Sequence, residues 1–164
     1  MKKKGLITLP GFQVFELPKS ENRVGGLLTA IDDKLCPGVI TADESSSIEI
    51  MTVQIRTGNY NIRIINAYGP QEDSSDEDIN LFWHLLDEEV LSAKDNNCLI
   101  LIQLDTNAKV GSNIIQGDPH KISGNGRILI ELTERHNLTI ANSLNICKGA
   151  ITREKKLLLV WNGQ

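Results

Sequence analysis

Apolar and polar residues alternate over 48–56 (IEIMTVQIR) and again over 60–68 (YNIRIINAY), the period of a half-buried strand. Thr57-Gly58-Asn59 between them is a turn signal, so the two runs predict a β-hairpin. In the second run Ile62, Ile64, Asn66 and Tyr68 share one face, and Asn61, Arg63, Ile65 and Ala67 share the other. Gly69-Pro70 ends it. Upstream, 24–31 (VGGLLTAI) predicts a further strand whose leading glycines let another backbone pass close by.

After Pro70 the period changes. An acidic stretch, QEDSSDED, leads into Ile79, Phe82, Trp83, Leu86, Val90 and Ala93 at helical spacing, which predicts a helix over 76–94. Ser75 with Asp78 reads as a capping box, and acids in the first turn suit the helix dipole. That spacing makes Phe82 and Trp83 core residues rather than a base-stacking platform. Residues 98–104 are apolar except for Gln103, as expected of a strand covered on both faces. A loop rich in Gly, Asn and Asp follows. Asn125 is the expected cap of a second helix over 126–136 that carries Ile128, Leu129 and Leu132. Short strands are expected at 138–141 and 157–161. The order is that of an α/β (α+β) domain with helices covering a sheet.

Composition narrows the picture. The 164 residues suit one domain, and 40% apolar with 23% charged residues is ordinary globular usage. No apolar run reaches the ~20 residues of a spanning helix, so no membrane partner is expected. Lys2, Lys3 and Lys4 precede an apolar stretch that Pro10 and Gly11 break, which argues against a signal peptide. The formal charge of −4 disfavours binding nucleic acid by bulk positive charge, but carboxylates that hold Mg²⁺ add negative charge too. Cys36, Cys98 and Cys147 are odd in number and lack metal-site spacing, so a reducing, intracellular setting fits them. The sequon at Asn137-Leu138-Thr139 is then accidental. Gly124-Asn125-Gly126 follows a loop and lacks the third glycine of a dinucleotide site. His136 belongs at a helix end, where it compensates the dipole, while His84 and His120 have no evident partner.

Two segments carry candidate chemistry. Asn66-Ala67-Tyr68-Gly69-Pro70 closes one strand, and Asp105-Thr106-Asn107-Ala108 follows another. Strand ends and their loops are where α/β proteins place their sites. In extended backbone Asp105 and Asn107 point the same way and could grip one small target. A carboxylate to orient water, an amide for a phosphate oxygen and a phenol facing developing charge suggest phosphoryl chemistry. Taken singly, each motif is an ordinary turn cap.

Taken in order, GGLLTAI, INAYGP, LFWHLLDEEV, LILIQLDTNAKVG, NGRILIELTERHNLTIANSL and GAITR resemble the endonuclease/exonuclease/phosphatase superfamily. The resemblance is to its apurinic-endonuclease-like domain in non-LTR retrotransposons, and it covers roughly residues 5 to 153. It implies a two-sheet β-sandwich flanked by helices, a DNA substrate, and Mg²⁺ or Mn²⁺ as cofactor in an intracellular, nuclear setting. It also implies that Tyr68 stands beside the scissile phosphate, supported by Asn66. Asp105 would orient the attacking water or the leaving group, and Asn107 would bind the phosphate. There are departures. Leu104 and Thr106 flank Asp105 where the family has glycine and an aromatic or leucine. Glu16 and Glu21 lie in the wrong context for the metal-ligating Glu. No Asp follows Asp118 and no His follows His136, so the family's C-terminal Asp-His is absent. The expectation is one partial domain over 1–164, truncated at both ends and catalytically incomplete. The alternatives are a non-catalytic binding domain, or a phosphatase of the same superfamily.

Overall fold

The computed structural model describes residues 7–18, 26–35, 37–42, 48–115, 120–144 and 156–161, with 37–42 and 156–161 described by backbone alone. Lys2 to Lys4, Glu21, Val24, Gly25, Cys36, Asp118, Cys147 and the 149–153 segment lie outside the described residues. Among the described residues the chain runs through β1 (Phe12–Pro18), β2 (Gly26–Asp32), β3 (Pro37–Ala42), β4 (Glu49–Thr57), β5 (Tyr60–Tyr68), α1 (Asp76–Asp95), β6 (Cys98–Asp105), α2 (Gly124–His136), β7 (Thr139–Ile140) and β8 (Lys156–Trp161). The strands form a two-stranded sheet, β1-β2, and a six-stranded sheet in the order β3-β4-β5-β6-β8-β7. The hairpin expected from alternation is β4-β5, antiparallel with Thr57 opposite Tyr60. Strands β5 and β6 run parallel, joined through α1, and the remaining pairs are antiparallel.

The period-two pattern decides what each face of the large sheet meets. Ile65 and Ala67 of β5, with Ile100, Ile102 and Leu104 of β6, pack against Phe82, Leu86 and Val90 of α1 and Leu129 of α2. The opposite face presents Val53, Ile55 and Ile64 to Ile31 of β2, with Phe15, Ile62 and Leu101 around them. The architecture is therefore a β-sandwich with helices outside one sheet, an α+β fold. Phe82 and Trp83 are core, edge to face at 5.3 Å between ring centroids. Arg63 is also buried on the helix side, where its guanidinium donates to the Ser92 hydroxyl at 3.0 Å.

Several sequence expectations change. Strands β1 and β3 are not legible in the sequence: β1 buries only Leu17, and β3 shifts register between Val39 and Thr41. The α1 cap is Ser75 as expected, its hydroxyl accepting from the Asp78 amide at 3.1 Å and donating to the Asp78 carboxylate at 2.8 Å. The α2 cap is Ser123, not Asn125; Ser123 accepts from the Gly126 amide, and Asn125 is buried inside the first turn. A side chain on Gly126, in the first turn of α2, would collide with the Lys109 carbonyl, so this position favours glycine. His136 lies in the last turn of α2 as expected, but it is buried there. It is 2% exposed, and its Nε2 lies 2.7 Å from the Asp87 carboxylate, joining α2 to α1. His84 is 3.6 Å from Glu88 along α1. No helix among the described residues is long and apolar enough to cross a membrane.

Candidate functional site

The sheet face that begins apolar at Ile62 and Ile64 of β5 turns polar at Asn66 and Tyr68. On β6 the same face runs from Leu101 to Gln103 and Asp105. The parallel register places Asn66 beside Gln103 and Tyr68 beside Asp105, so four polar side chains form a square at the carboxyl ends of the two strands. Glu49 of β4 stands opposite Tyr68 on its other side, and therefore on the same face.

Around this square the two sheets enclose a cleft of about 730 Å³, lined by Gly26, Leu27 and Leu28 of β2, residues 66–68 and 103–105, and Asn142. The Asn66 amide donates to the Leu28 carbonyl at 3.0 Å and to the Thr29 hydroxyl at 3.1 Å, tying the large sheet to the small one. The Tyr68 hydroxyl accepts from the Gln71 amide at 3.1 Å. The structure thus brings Asn66, Tyr68 and Asp105 to one cleft.

Asn107 is placed differently. Its backbone is left-handed, with φ of 48°, so it does not extend the strand and is not among the lining residues. Its side-chain amide donates to the Gly69 carbonyl at 2.9 Å, and its backbone amide approaches the Asp105 carboxylate at 3.4 Å. The Gly69 amide in turn donates to the Asp105 carbonyl at 2.7 Å. Asn107 therefore fastens the turn after Tyr68 to the turn after Asp105. A Cβ at Gly69 would sit 3.1 Å from the Thr106 backbone, so this close approach requires glycine or a shift of the turn.

Asp105 is the only carboxylate among the lining residues, which otherwise offer the neutral amides of Asn66, Gln103 and Asn142. Among the described residues no group of three or more His, Cys, Asp and Glu could hold a metal ion. One carboxylate with neutral amides is a poor match for Mg²⁺ or Mn²⁺, and the described residues do not fit such an ion. The His136–Asp87 pair is not a substitute base, since it lies between the helices and none of its residues lines the cleft. Burial raises the Asp87 carboxyl, but hydrogen bonds and charge from His136 and Arg135 outweigh it and hold it below its ordinary value. Gln103 and Asn142 escaped the sequence reading. For Gln103 the signal was present as the single polar residue in an apolar run.

No family model matches the sequence, and no curated protein matches it. Solved structures do. The endonuclease domain of TRAS1, a telomere-specific non-LTR retrotransposon, matches with TM-score 0.65 at 16% identity, over 93% of this chain and 68% of its own. The 3′-5′ exonuclease NExo from Neisseria meningitidis gives TM-score 0.61 at 13% identity, over 92% of this chain and 67% of its own. The human Nocturnin catalytic domain gives 0.55 at 11% identity, over 92% and 60%. Through these matches, which span 60–68% of those three chains, this chain has the fold of the endonuclease/exonuclease/phosphatase proteins.

Proposed function

We propose that this chain is the core of a phosphodiester-binding nuclease domain that acts on DNA in the cell nucleus, like the nicking endonucleases of non-LTR retrotransposons. The observation that carries the reading is the register pairing of Tyr68 with Asp105 at the mouth of one cleft, in a fold shared with nucleases. A phosphate seated at these strand ends would meet the Tyr68 phenol, whose donor strength rises because its oxygen accepts from Gln71. The Asp105 carboxylate would accept a proton from water, or orient it, on the adjacent strand. Asn66 holds the cleft wall in place, and Asn107 keeps the two turns together. Mg²⁺ or Mn²⁺ is the cofactor that the fold family implies, but one lining carboxylate does not fit it, and phosphate binding here falls to the chain's own polar groups.

Fluorescence anisotropy with a duplex carrying an abasic analogue tests the reading. Tyr68→Phe should weaken binding roughly ten- to a hundredfold, the worth of one hydrogen bond to a charged oxygen. Asp105→Asn should tighten it, because a negative charge next to the phosphate is removed. A duplex that binds the wild type and both variants alike would overturn the assignment. One arrangement favours a binding domain without catalysis as the second reading: a single lining carboxylate, with an Asn107 amide hydrogen committed to Gly69.

A further inference from the structure

We infer that Asn125 is a positioning residue that sets the Tyr68 turn against Asp105. Asn125 touches nothing in the cleft, is 1% exposed, and uses three polar groups at once. Its side-chain nitrogen donates to the Pro70 carbonyl at 3.0 Å, and its side-chain oxygen accepts from the Trp83 indole at 3.0 Å. Its backbone amide donates to the Glu72 carboxylate at 3.2 Å. Two of these three bonds go to residues 70–72, the segment that follows Tyr68. The same segment is held from its other side by Asn107 and the Asp105 carbonyl, both through Gly69. The turn is therefore clamped between the end of β6 and the first turn of α2. The Trp83 indole in the core occupies the Asn125 side-chain oxygen and attaches nothing in residues 70–72.

A buried carboxamide with every group partnered fixes a geometry, because any alternative leaves a donor or acceptor unpaired at a cost. A capping role needs none of this, and Ser123 already performs it. Tyr68 lies at the end of β5, where the strand ladder no longer holds the chain beyond it, and Gln71, which donates to its hydroxyl, belongs to the clamped segment. Displacing Pro70 and Glu72 would carry Gln71 with them and change the hydrogen bond that the phenol accepts beside Asp105.

The ligand in the test follows from the phosphodiesterase reading above; the positioning geometry does not. The experiment uses the full 164-residue chain with Tyr60→Phe, which leaves Tyr68 as its one tyrosine. Its ring carbon signal is followed by NMR, beside affinity for the abasic-analogue duplex. Asn125→Asp keeps the acceptor for Trp83 but cannot donate to Pro70 while ionised. At neutral pH it should shift the Tyr68 signal and weaken duplex binding about three- to tenfold. Burial raises the new carboxyl's pKa, so mild acid should protonate it, restore the donor and return the Tyr68 signal. Trp83→Phe removes the indole donor and part of the ring's core packing but neither bond to residues 70–72, so it should lower the melting temperature yet leave the Tyr68 signal in place and affinity within about twofold. If Asn125→Asp does not fold, Glu72→Ala serves in its place, removing the second attachment of the same segment, and should shift the same signal. An unmoved Tyr68 signal in the folded variant, or an equal shift in Trp83→Phe, would overturn the inference. A shifted signal with no duplex binding even by the wild type would leave positioning intact and overturn the nuclease reading.

Discussion

Asp87 shows how far a single side chain's surroundings can outrun its place in the sequence. It lies on α1, within reach of Arg135 at 3.0 Å and His136 at 2.7 Å, and these hold its carboxyl below the ordinary 3.8. A carboxyl whose folded pKa is depressed adds stability above its unfolded value and loses it as pH falls through the folded one. Asp87→Asn should therefore cost about 1.5–3 kcal/mol at neutral pH, the worth of hydrogen bonds to a charged group. The gap to wild type should narrow as pH falls below 3.8. Thermal melts of both proteins from pH 7 to 3 read this directly, and a gap constant over that range would exclude the ion pair as its source. His136 illustrates why this was hidden. Its position at a helix end is visible in the sequence, but the carboxylate it meets is 49 residues away.

Among the elements, α2 depends on how its first turn is seated. Ser123 caps it through the Gly126 amide and also accepts from the Lys109 amide at 3.0 Å, while Gly126 lies against the Lys109 carbonyl. An added methyl at Gly126 has backbone to displace rather than a flexible side chain. Although alanine is the better helix former, Gly126→Ala should destabilise by about 1–3 kcal/mol through overpacking. Urea unfolding would measure it; a gain in stability would mean that the loop before α2 yields easily. Gly126 is helix-disfavouring in the sequence, and only the neighbouring carbonyl explains its presence. By contrast α1 was legible in full, because its cap, acidic first turn and apolar stripe all lie within one local stretch.

The whole molecule carries a net charge of −4, and no lysine or arginine is among the cleft's lining residues. Duplex affinity should accordingly be modest, with a shallow salt dependence, because few counterions are released. Catalysis by these 164 residues is a separate matter. With Asp105 as the one lining carboxylate, a divalent ion would be held weakly, and groups that act as a unit lose most of the rate when one is missing. The expected outcome is no detectable nicking of plasmid or abasic duplex in Mg²⁺ or Mn²⁺. Cleavage that is robust in Mg²⁺ and lost in Asp105→Ala would show that the chain supplies metal ligands beyond those lining the cleft.

By itself, the sequence determined the parts whose cause is local. Alternation made β4 and β5 strands, the 3.6-residue period made α1 a helix, and the order of short motifs led to the fold. It also put Tyr68 and Asp105 each at the end of a strand. Tertiary structure decided which partners those ends acquired. Register is a property of two strands, so no single stretch could show Tyr68 beside Asp105 or Asn66 beside Gln103. Asn107 reads as the neighbour of Asp105 in extended chain, yet its backbone is left-handed and its side chain bonds Gly69, 38 residues earlier. Asn125 reads as a cap because capping is local, whereas its three partners come from Pro70, Glu72 and Trp83. Periodicity and capping act within a few residues, while the burial that fixes a polar side chain's partner depends on segments brought together only by the packed core.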